Sequence, residues 1–444
     1  MPSAQIAPAT ETLDFISPPR NEQRSKGVFY CAMALVFARI SMVNQILAAQ
    51  IGTSFYMIYW VGIPAILGII FAGGIKHAWP AKPTKYWTMF GLWMILTTLF
   101  SYWPGGSFEI LRAYLRSELV MVFAIAGLTT TWRECRLMIL AAAAGGFVNL
   151  LGSQIFGSSS GDRMSITVGA VANPNDFAAH LLLVLPFIVY VTLSSKSVLL
   201  RIVSVLAVGY GAYFVLGSGS RGAAIGIAAD VLFLLLSTPP RRRLLVWVTT
   251  ALVLIVTIKV LPQQTWTRIT SIVDDRDAPE EAASSSEDRK YLLRKSIEYT
   301  FQHPLFGVGP GQFSNFEGSA SQAKGVRGSW HETHNTYTEA SSENGLIAFF
   351  FYAAGIVWTV ILLNRTWARV RHRRDLHDIA NAVFCLRVSL VGFCTAIFFV
   401  NFAYYFYLPA MAGFAIAISR AADAAIAKDP EGDTSSRRLV VPAY

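Results

Sequence analysis

PQQTWTRITSIVDDRDAPEEAASSSEDRKYLLRKSIEYTFQHPLFGVGPGQFSNFEGSASQAKGVRGSWHETHNTYTEASSEN, residues 262–344, is polar, and it separates two runs of opposite character. RLLVWVTTALVLIVTIKVL precedes it at 243–261, and GLIAFFFYAAGIVWTVILL follows it at 345–363. Each flank is long enough to cross a bilayer, which takes about 20 apolar residues in a helix. The polar stretch therefore stands at one membrane face, held there by a hydrophobic scaffold. It gathers Arg289, Arg294, His303, His331 and His334, side chains suited to chemistry.

Working outward, apolar segments recur at about 28–49, 54–73, 86–103, 110–130, 136–156, 177–194, 198–216, 221–237, 243–261, 345–363, 381–400 and 402–419. With 54% hydrophobic residues and a mean hydropathy of +0.45, the 444-residue chain is too apolar for a set of soluble domains. The expected fold class is all-α: a polytopic membrane protein of about twelve transmembrane helices with one large loop. Continuous rather than alternating hydrophobicity excludes a β-barrel. The segment at 110–130 fits least well, because it carries Arg112, Arg116 and Glu118. Residues 1–27 lack an apolar core and a cleavage pattern and read as a tail, not a signal peptide. The expected division is a tail at 1–27, helices over 28–261, the loop at 262–344, helices over 345–419, and a tail at 420–444 that is disordered from Ala421.

A net charge of +10 would suggest a nucleic-acid partner in a soluble protein. Here the basic residues alternate with topology instead: Lys76, Lys82 and Lys85; Arg133 and Arg136; Lys196 and Arg201; Arg241, Arg242 and Arg243; and Arg365 through Arg374. Such connections lie in the cytoplasm, which places both tails there and the large loop outside it. The partner this composition implies is membrane lipid, not nucleic acid. The four cysteines, Cys31, Cys135, Cys385 and Cys394, fall in or beside apolar runs and indicate neither disulfides nor a thiolate metal site.

Inside the loop, Ser284 and Glu287 have capping-box spacing. Leu293, Ile297 and Phe301 recur every four residues as an apolar stripe. Arg289 lies in line with that stripe and is expected to face protein or membrane. His303-Pro304 ends the helix, since a residue before proline avoids helical angles. A second helix is expected near Thr333 and His334, running into the next crossing. In a first helical turn the helix dipole disfavours imidazolium, so His334 should stay neutral and able to accept a proton. His331 is a weaker candidate.

The face opposite the cytoplasmic basic residues carries isolated guanidiniums: Arg163, Arg221, Arg289, and Arg112 and Arg116 at a helix entrance. Permanently charged, bidentate guanidinium suits phosphate and diphosphate. One alone reads first as an interfacial anchor that snorkels to the surface; several on the charge-poor face bring the phosphate reading level with it. Arg39 and Arg387 fall within apolar segments, where packing partners such as Asn44, Gln45 or Asn401 would have to satisfy them. Asp274, Asp275 and Asp277 include an Asp-x-Asp spacing, but the surrounding charged run reads as solvated. His331-Glu332-Thr333-His334 lacks the zinc-protease spacing, so no metal or cofactor is expected.

The sequence resembles the bacterial O-antigen ligase and O-antigen polymerase family. The resemblance rests on His303-Pro304-Leu305-Phe306-Gly307-Val308-Gly309-Pro310-Gly311-Gln312-Phe313, then His334-Asn335-Thr336-Tyr337, then Glu343-Asn344-Gly345-Leu346-Ile347. Arg163 ahead of Asn173-Pro174-Asn175-Asp176-Phe177-Ala178, and Ser220-Arg221-Gly222-Ala223, add to it. The resemblance implies a membrane-embedded fold like that of lipid-phosphosugar glycosyltransferases, at the bacterial inner membrane with its site facing the periplasm. It implies a metal-independent transfer of glycan from undecaprenyl diphosphate to an acceptor hydroxyl. That acceptor is the lipid A core in ligases and another lipid-linked glycan in polymerases. On this reading His334 is the base, and Arg221 and Arg289, with Arg163 as a third, hold the diphosphate; Glu339 and Glu343 keep a different base open. The ligase reading comes first and the polymerase second. A lipid-linked glycan transporter is disfavoured because no internal repeat is evident.

Overall fold

The structure is a computed structural model that describes residues 26–53, 56–160, 163–166, 171–238, 244, 247–248, 259, 261–270, 280–325 and 330–428. Residues 1–25 and 429–444, most of the expected span at 243–261, and the Asp274–Asp277 run lie outside the described residues.

Almost every element is helical. In order they are α1 (Lys26–Ser41), α2 (Val43–Ile51), α3 (Met57–Phe71), α4 (Gly74–Ala78), α5 (Lys82–Leu99) and α6 (Pro104–Ala113). A π-turn (Tyr114–Glu118) leads into α7 (Val120–Leu128) and α8 (Trp132–Ile155). A short antiparallel hairpin, β1 (Gly157–Ser160) and β2 (Arg163–Ile166), precedes α9 (Pro174–Ser194), α10 (Val198–Gly217) and α11 (Arg221–Ser237). The polar stretch contributes α12 (Gln263–Thr270), α13 (Glu280–Gln302) and α14 (Phe313–Ala323). Then come α15 (Thr336–Val370), α16 (His377–Ala396) and α17 (Tyr407–Lys428).

Among the described residues six helices are long and apolar enough to cross a membrane: α8, α9, α10, α15, α16 with its following turn, and α17. There are up to seven if α1 and α2, bent by 63°, count as one span. The chain is thus a polytopic helical membrane protein, while the described residues do not amount to twelve full spans. Two segments depart from expectation for identifiable reasons. The one at 110–130 is broken by the π-turn, which sorts its charges to opposite sides. Arg116 is exposed and lies 5.4 Å above the Tyr59 ring, whereas Glu118 is buried against Arg39. The last helix continues past Ala421 to Lys428, and its charged residues find partners along the way. Arg420 donates to the carbonyls of His77, Ala126 and Thr129, and Asp423 pairs with Arg369. Arg39 and Arg387 likewise find partners other than those expected: Glu118 for the first, and Asn364 with the Phe233 and Trp367 rings for the second.

The core is built around α9, which packs against α8, α10, α11 and α16. Nearly all its side chains from Phe177 to Ile188 are buried. His180 is fixed at its centre by Asn149 and Tyr407, and Asn149 also donates to the carbonyl of Ile40. That polar knot ties α1, α8, α9 and α17 together where no water could satisfy them. By contrast α10 exposes Val198, Leu199 and Leu206, as a lipid-facing helix should.

The glycine-rich motif after His303 has a structural explanation. Its chain folds against the first turns of α15: the Val308 and Gly309 amides donate to the Ser342 and Glu343 carbonyls, and the Leu346 amide donates to the Pro304 carbonyl. The Glu343 carboxylate accepts from the amides of Gly311 (2.6 Å) and Phe313 (3.1 Å) and from the Tyr404 hydroxyl (2.5 Å). So close an approach of two backbones leaves no room for side chains. A Cβ on Gly307 would lie 2.3 Å from the Glu343 carbonyl carbon, and one on Gly345 would lie 2.2 Å from the Leu305 oxygen. Gly345 also breaks α15, with φ 81° and ψ 174°, a conformation open essentially to glycine alone.

Gly345→Ala should therefore destabilise the protein by about 2 kcal/mol or more. Gly209→Ala, where nothing lies within 4 Å of the new Cβ, should be neutral. Thermal melting of the detergent-purified protein would check the pair; equal melting temperatures would contradict this account.

Candidate functional site at the loop end of the bundle

Asn335, not His334, caps α15: its side-chain oxygen accepts from the amides of Tyr337 (2.9 Å) and Thr338 (3.1 Å). The helix accordingly starts two residues later than expected, and His334 sits outside it with φ 50°. A left-handed conformation at a non-glycine residue is strained and is held here by its neighbours. Thr333 bonds Asn401 (3.0 Å), and Thr336 bonds the Val400 carbonyl (2.7 Å) and the Phe402 amide (2.9 Å). The strand-like turn at 333–336 is thus stitched to the turn at 400–402, and His334 projects from between the two stitches.

The imidazole of His334 is pulled below its ordinary pKa, first by burial, then by the charge of Arg289, with His331 adding and Glu332 opposing. The expected direction holds, but its cause is desolvation and a guanidinium rather than a helix terminus.

Arg289 reaches this place on α13, though not by the face the periodicity suggests. Leu293, Ile297 and Phe301 are 37%, 43% and 69% exposed, while Leu292, Ser296, Tyr299 and Thr300 are buried. The buried face is the hydroxyl-bearing one because α13 packs closely on α15, with the Thr300 and Ser341 hydroxyls 2.8 Å apart. Small polar residues permit such an approach. Arg289 continues that inner face and is half-buried.

Around these two residues the fold collects others. Arg289 and Glu332 both act electrostatically on Asp176, in the first turn of α9. Arg163 donates to the neighbouring Asn175 side chain (2.9 Å) and to the Ser218 carbonyl (2.8 Å), tying the hairpin to the ends of α9 and α10. Arg221 is the first residue of α11, capped by Ser220. The next residue, Gly222, lies so close to Phe399 that a Cβ there would stand 2.6 Å from it. Phe399 leads into the turn whose Asn401 donates to Glu332 (2.5 Å). The amino end of a helix favours anions, and both α9 and α11 begin here.

Of the expected site residues, Arg289 and His334 are neighbours, and Arg163 and Arg221 belong to the elements packed around them. His331 is exposed and reaches the group only through its charge. Arg112 pairs with Glu109 on an exposed surface, and Arg116 lies over Tyr59, so neither joins it. His303 packs edge-on against Phe316, a structural role. The sequence reading quotes Asp176 and Glu332 only within motifs and Asn401 only as a packing partner, and it does not single out Tyr404. Among the described residues no group of three or more His, Cys, Asp or Glu is placed to hold a metal ion.

Residues 206–353 match the family model for O-antigen ligase. That segment belongs to the O-antigen ligase and polymerase family. It contains Arg221, Arg289, the His303–Phe313 motif, His334 and Glu343, while Arg163 and Asp176 precede it. Membership implies partners of two general kinds, a lipid-linked glycan and an acceptor. No curated protein matches the chain.

His334 should titrate below the usual histidine range of about 6.5. Because Arg289 lowers its pKa, Arg289→Ala should move the titration upward. NMR titration of histidine-labelled protein, with His334 assigned by its absence from His334→Asn, measures both; an unmoved titration in Arg289→Ala would separate the two residues.

Proposed function

We propose that this protein is a metal-independent O-antigen ligase-type glycosyltransferase. It moves a glycan from undecaprenyl diphosphate to a hydroxyl of the lipid A core at the periplasmic face of the inner membrane. The observation that carries the reading is the pairing of His334, kept neutral by burial, with Arg289, inside the segment that matches the family. The orientation is supported by Lys82, Arg133, Arg136, Arg365 and Arg369, which stand at helix ends remote from His334, as the positive-inside rule would have for cytoplasmic ends.

In the proposed reaction His334 accepts the proton of the acceptor hydroxyl as its oxygen attacks the anomeric carbon. The bond from that carbon to the diphosphate oxygen breaks, and the lipid diphosphate leaves with the electron pair. Its growing charge is met by Arg289 and Arg221, reinforced by the amino end of α11. A single displacement of this kind inverts the anomeric centre. Arg163, engaged with Asn175 and Ser218, contributes by positioning those elements. Glu343 is disfavoured as the base because three donors already occupy its carboxylate.

His334→Asn is the informative variant, since asparagine tolerates the left-handed backbone. Transfer from lipid-linked glycan by purified protein should fall by about 10²–10⁴-fold with melting unchanged. Arg221→Ala and Arg289→Ala should raise KM for the lipid-linked donor more than for the acceptor. Near-normal transfer by His334→Asn would remove the base role. Products extended into long repeats without any acceptor core would indicate a polymerase instead.

A further inference from the structure

The cavity of about 380 Å³ that Arg39, Glu118, Glu332 and Glu339 line belongs to the site already described. A different feature lies on α16, where Arg387 stands midway along the helix and has no part in the proposed chemistry. Helical side chains tilt towards the amino end, which for α16 is the end beside Arg369, Arg371, Arg373 and Arg374. The guanidinium accordingly meets the last turns of α15. Its Nε donates to the Asn364 side-chain oxygen (2.9 Å), and its carbon stands 5.3 Å from the centre of the Trp367 ring. On its other side it lies 4.9 Å from the centre of the Phe233 ring, on α11.

Both α11 and α15 pack on α16, while among the described residues they make no comparable contact with each other. The three helices thus form a groove, with α16 as its floor, Arg387 within it, and Phe233 and Trp367 on its two walls. Val357 and Val360, at helical spacing from Asn364 and Trp367, are 52% and 38% exposed, and Leu236, one turn from Phe233, is 70% exposed. Apolar rims of this kind on a membrane protein meet lipid rather than water.

The charges decide what fills the groove. Arg369 pairs with Asp423, and Arg373 with Asp375 (2.7 Å). Arg371 and Arg387 pair with no carboxylate among the described residues, yet Arg371 is near enough to act electrostatically on Arg387. Nη1 of Arg387 is also buried without a hydrogen-bond partner. Buried donors are nearly always satisfied, and charge within a membrane segment needs a partner. An anion reaching both guanidiniums supplies what is missing, and phosphate oxygens match their fork. Trp367, three residues before the end of α15, marks the level at which aromatic side chains meet lipid headgroups.

We propose that this groove binds one anionic phospholipid, its phosphate held between Arg387 and Arg371 and an acyl chain lying between α11 and α15. Arg387 is roughly 20 Å along the helix from the turn at 400–402, so this lipid is a resident and not a reactant. It would join two helices that otherwise meet through α16: α11, which begins at Arg221, and α15, which begins beside His334.

Native mass spectrometry of the full-length detergent-purified protein, titrated with phosphatidylglycerol, cardiolipin and phosphatidylethanolamine, tests this. The two anionic lipids should bind more tightly than phosphatidylethanolamine, and excess inorganic phosphate should not displace them. Arg371→Gln and Arg387→Gln should each weaken anionic-lipid binding about fivefold and leave phosphatidylethanolamine unaffected. Arg371 is exposed, so its variant keeps the test readable even if Arg387→Gln fails to fold. Arg374→Gln removes the same charge from an exposed position outside the groove and should change nothing. Equal affinity for all three lipids, displacement by phosphate, unchanged affinity in Arg371→Gln, or an equal loss in Arg374→Gln would each overturn the proposal.

Discussion

The carboxylate of Glu343 is the constraint on which the loop end of this protein depends. It draws the Gly311 and Phe313 amides onto the first turns of α15 and holds the Tyr404 hydroxyl from the turn before α17. Three segments far apart in sequence are thereby fixed to one another. The Asn344 side chain extends the clamp, donating to the Tyr404 hydroxyl (2.6 Å) and accepting from Thr97 on α5 (3.1 Å). The elements that position His334 and Arg289 lie beside it. The 333–336 turn is stitched beside it, and α13 lies along the same short piece of α15.

Two electrostatic environments meet at His334. Towards α9 and α11 the fold offers Arg163, Arg221, Arg289 and two helix amino ends, a surface fit for anions. Towards α1 and α15 it offers Glu332 and Glu339 and a polar cavity. On the transferase reading proposed above, an anionic lipid diphosphate would suit the first of these sides, with His334 between the two.

Much of this was legible in the sequence, and the exceptions have physical causes. The helical membrane class was plain because continuous apolar runs admit few alternatives. The paired motifs at His303–Phe313 and Glu343–Gly345 were visible as motifs, yet their mutual hydrogen bonding was not, because nothing local distinguishes a carboxylate that caps a distant loop. The inner face of α13 was misread for a sharper reason. In water Leu293, Ile297 and Phe301 would mark the buried side, whereas beside a bilayer apolar residues can face outward and Ser296 and Thr300 take the interior. The bond from Asn401 to Glu332 was unreadable, since a contact spanning 69 residues leaves no periodic trace. The start of α15 was misplaced by two residues because Asn335 competes as a cap, and those two residues change His334 from a helical side chain into one on a left-handed hinge.

The π-turn at Tyr114–Glu118 carries a consequence of its own. One surplus residue in that coil offsets everything after it by about 100° around the helix axis relative to regular winding. That offset turns Glu118 to the interior to meet Arg39, while Arg116 stays outside over Tyr59. The cavity wall is therefore written in the phase of a helix rather than in the identity of its residues. A single-residue deletion there would leave composition, hydropathy and motif content almost untouched, and still rotate an acid out of the chamber.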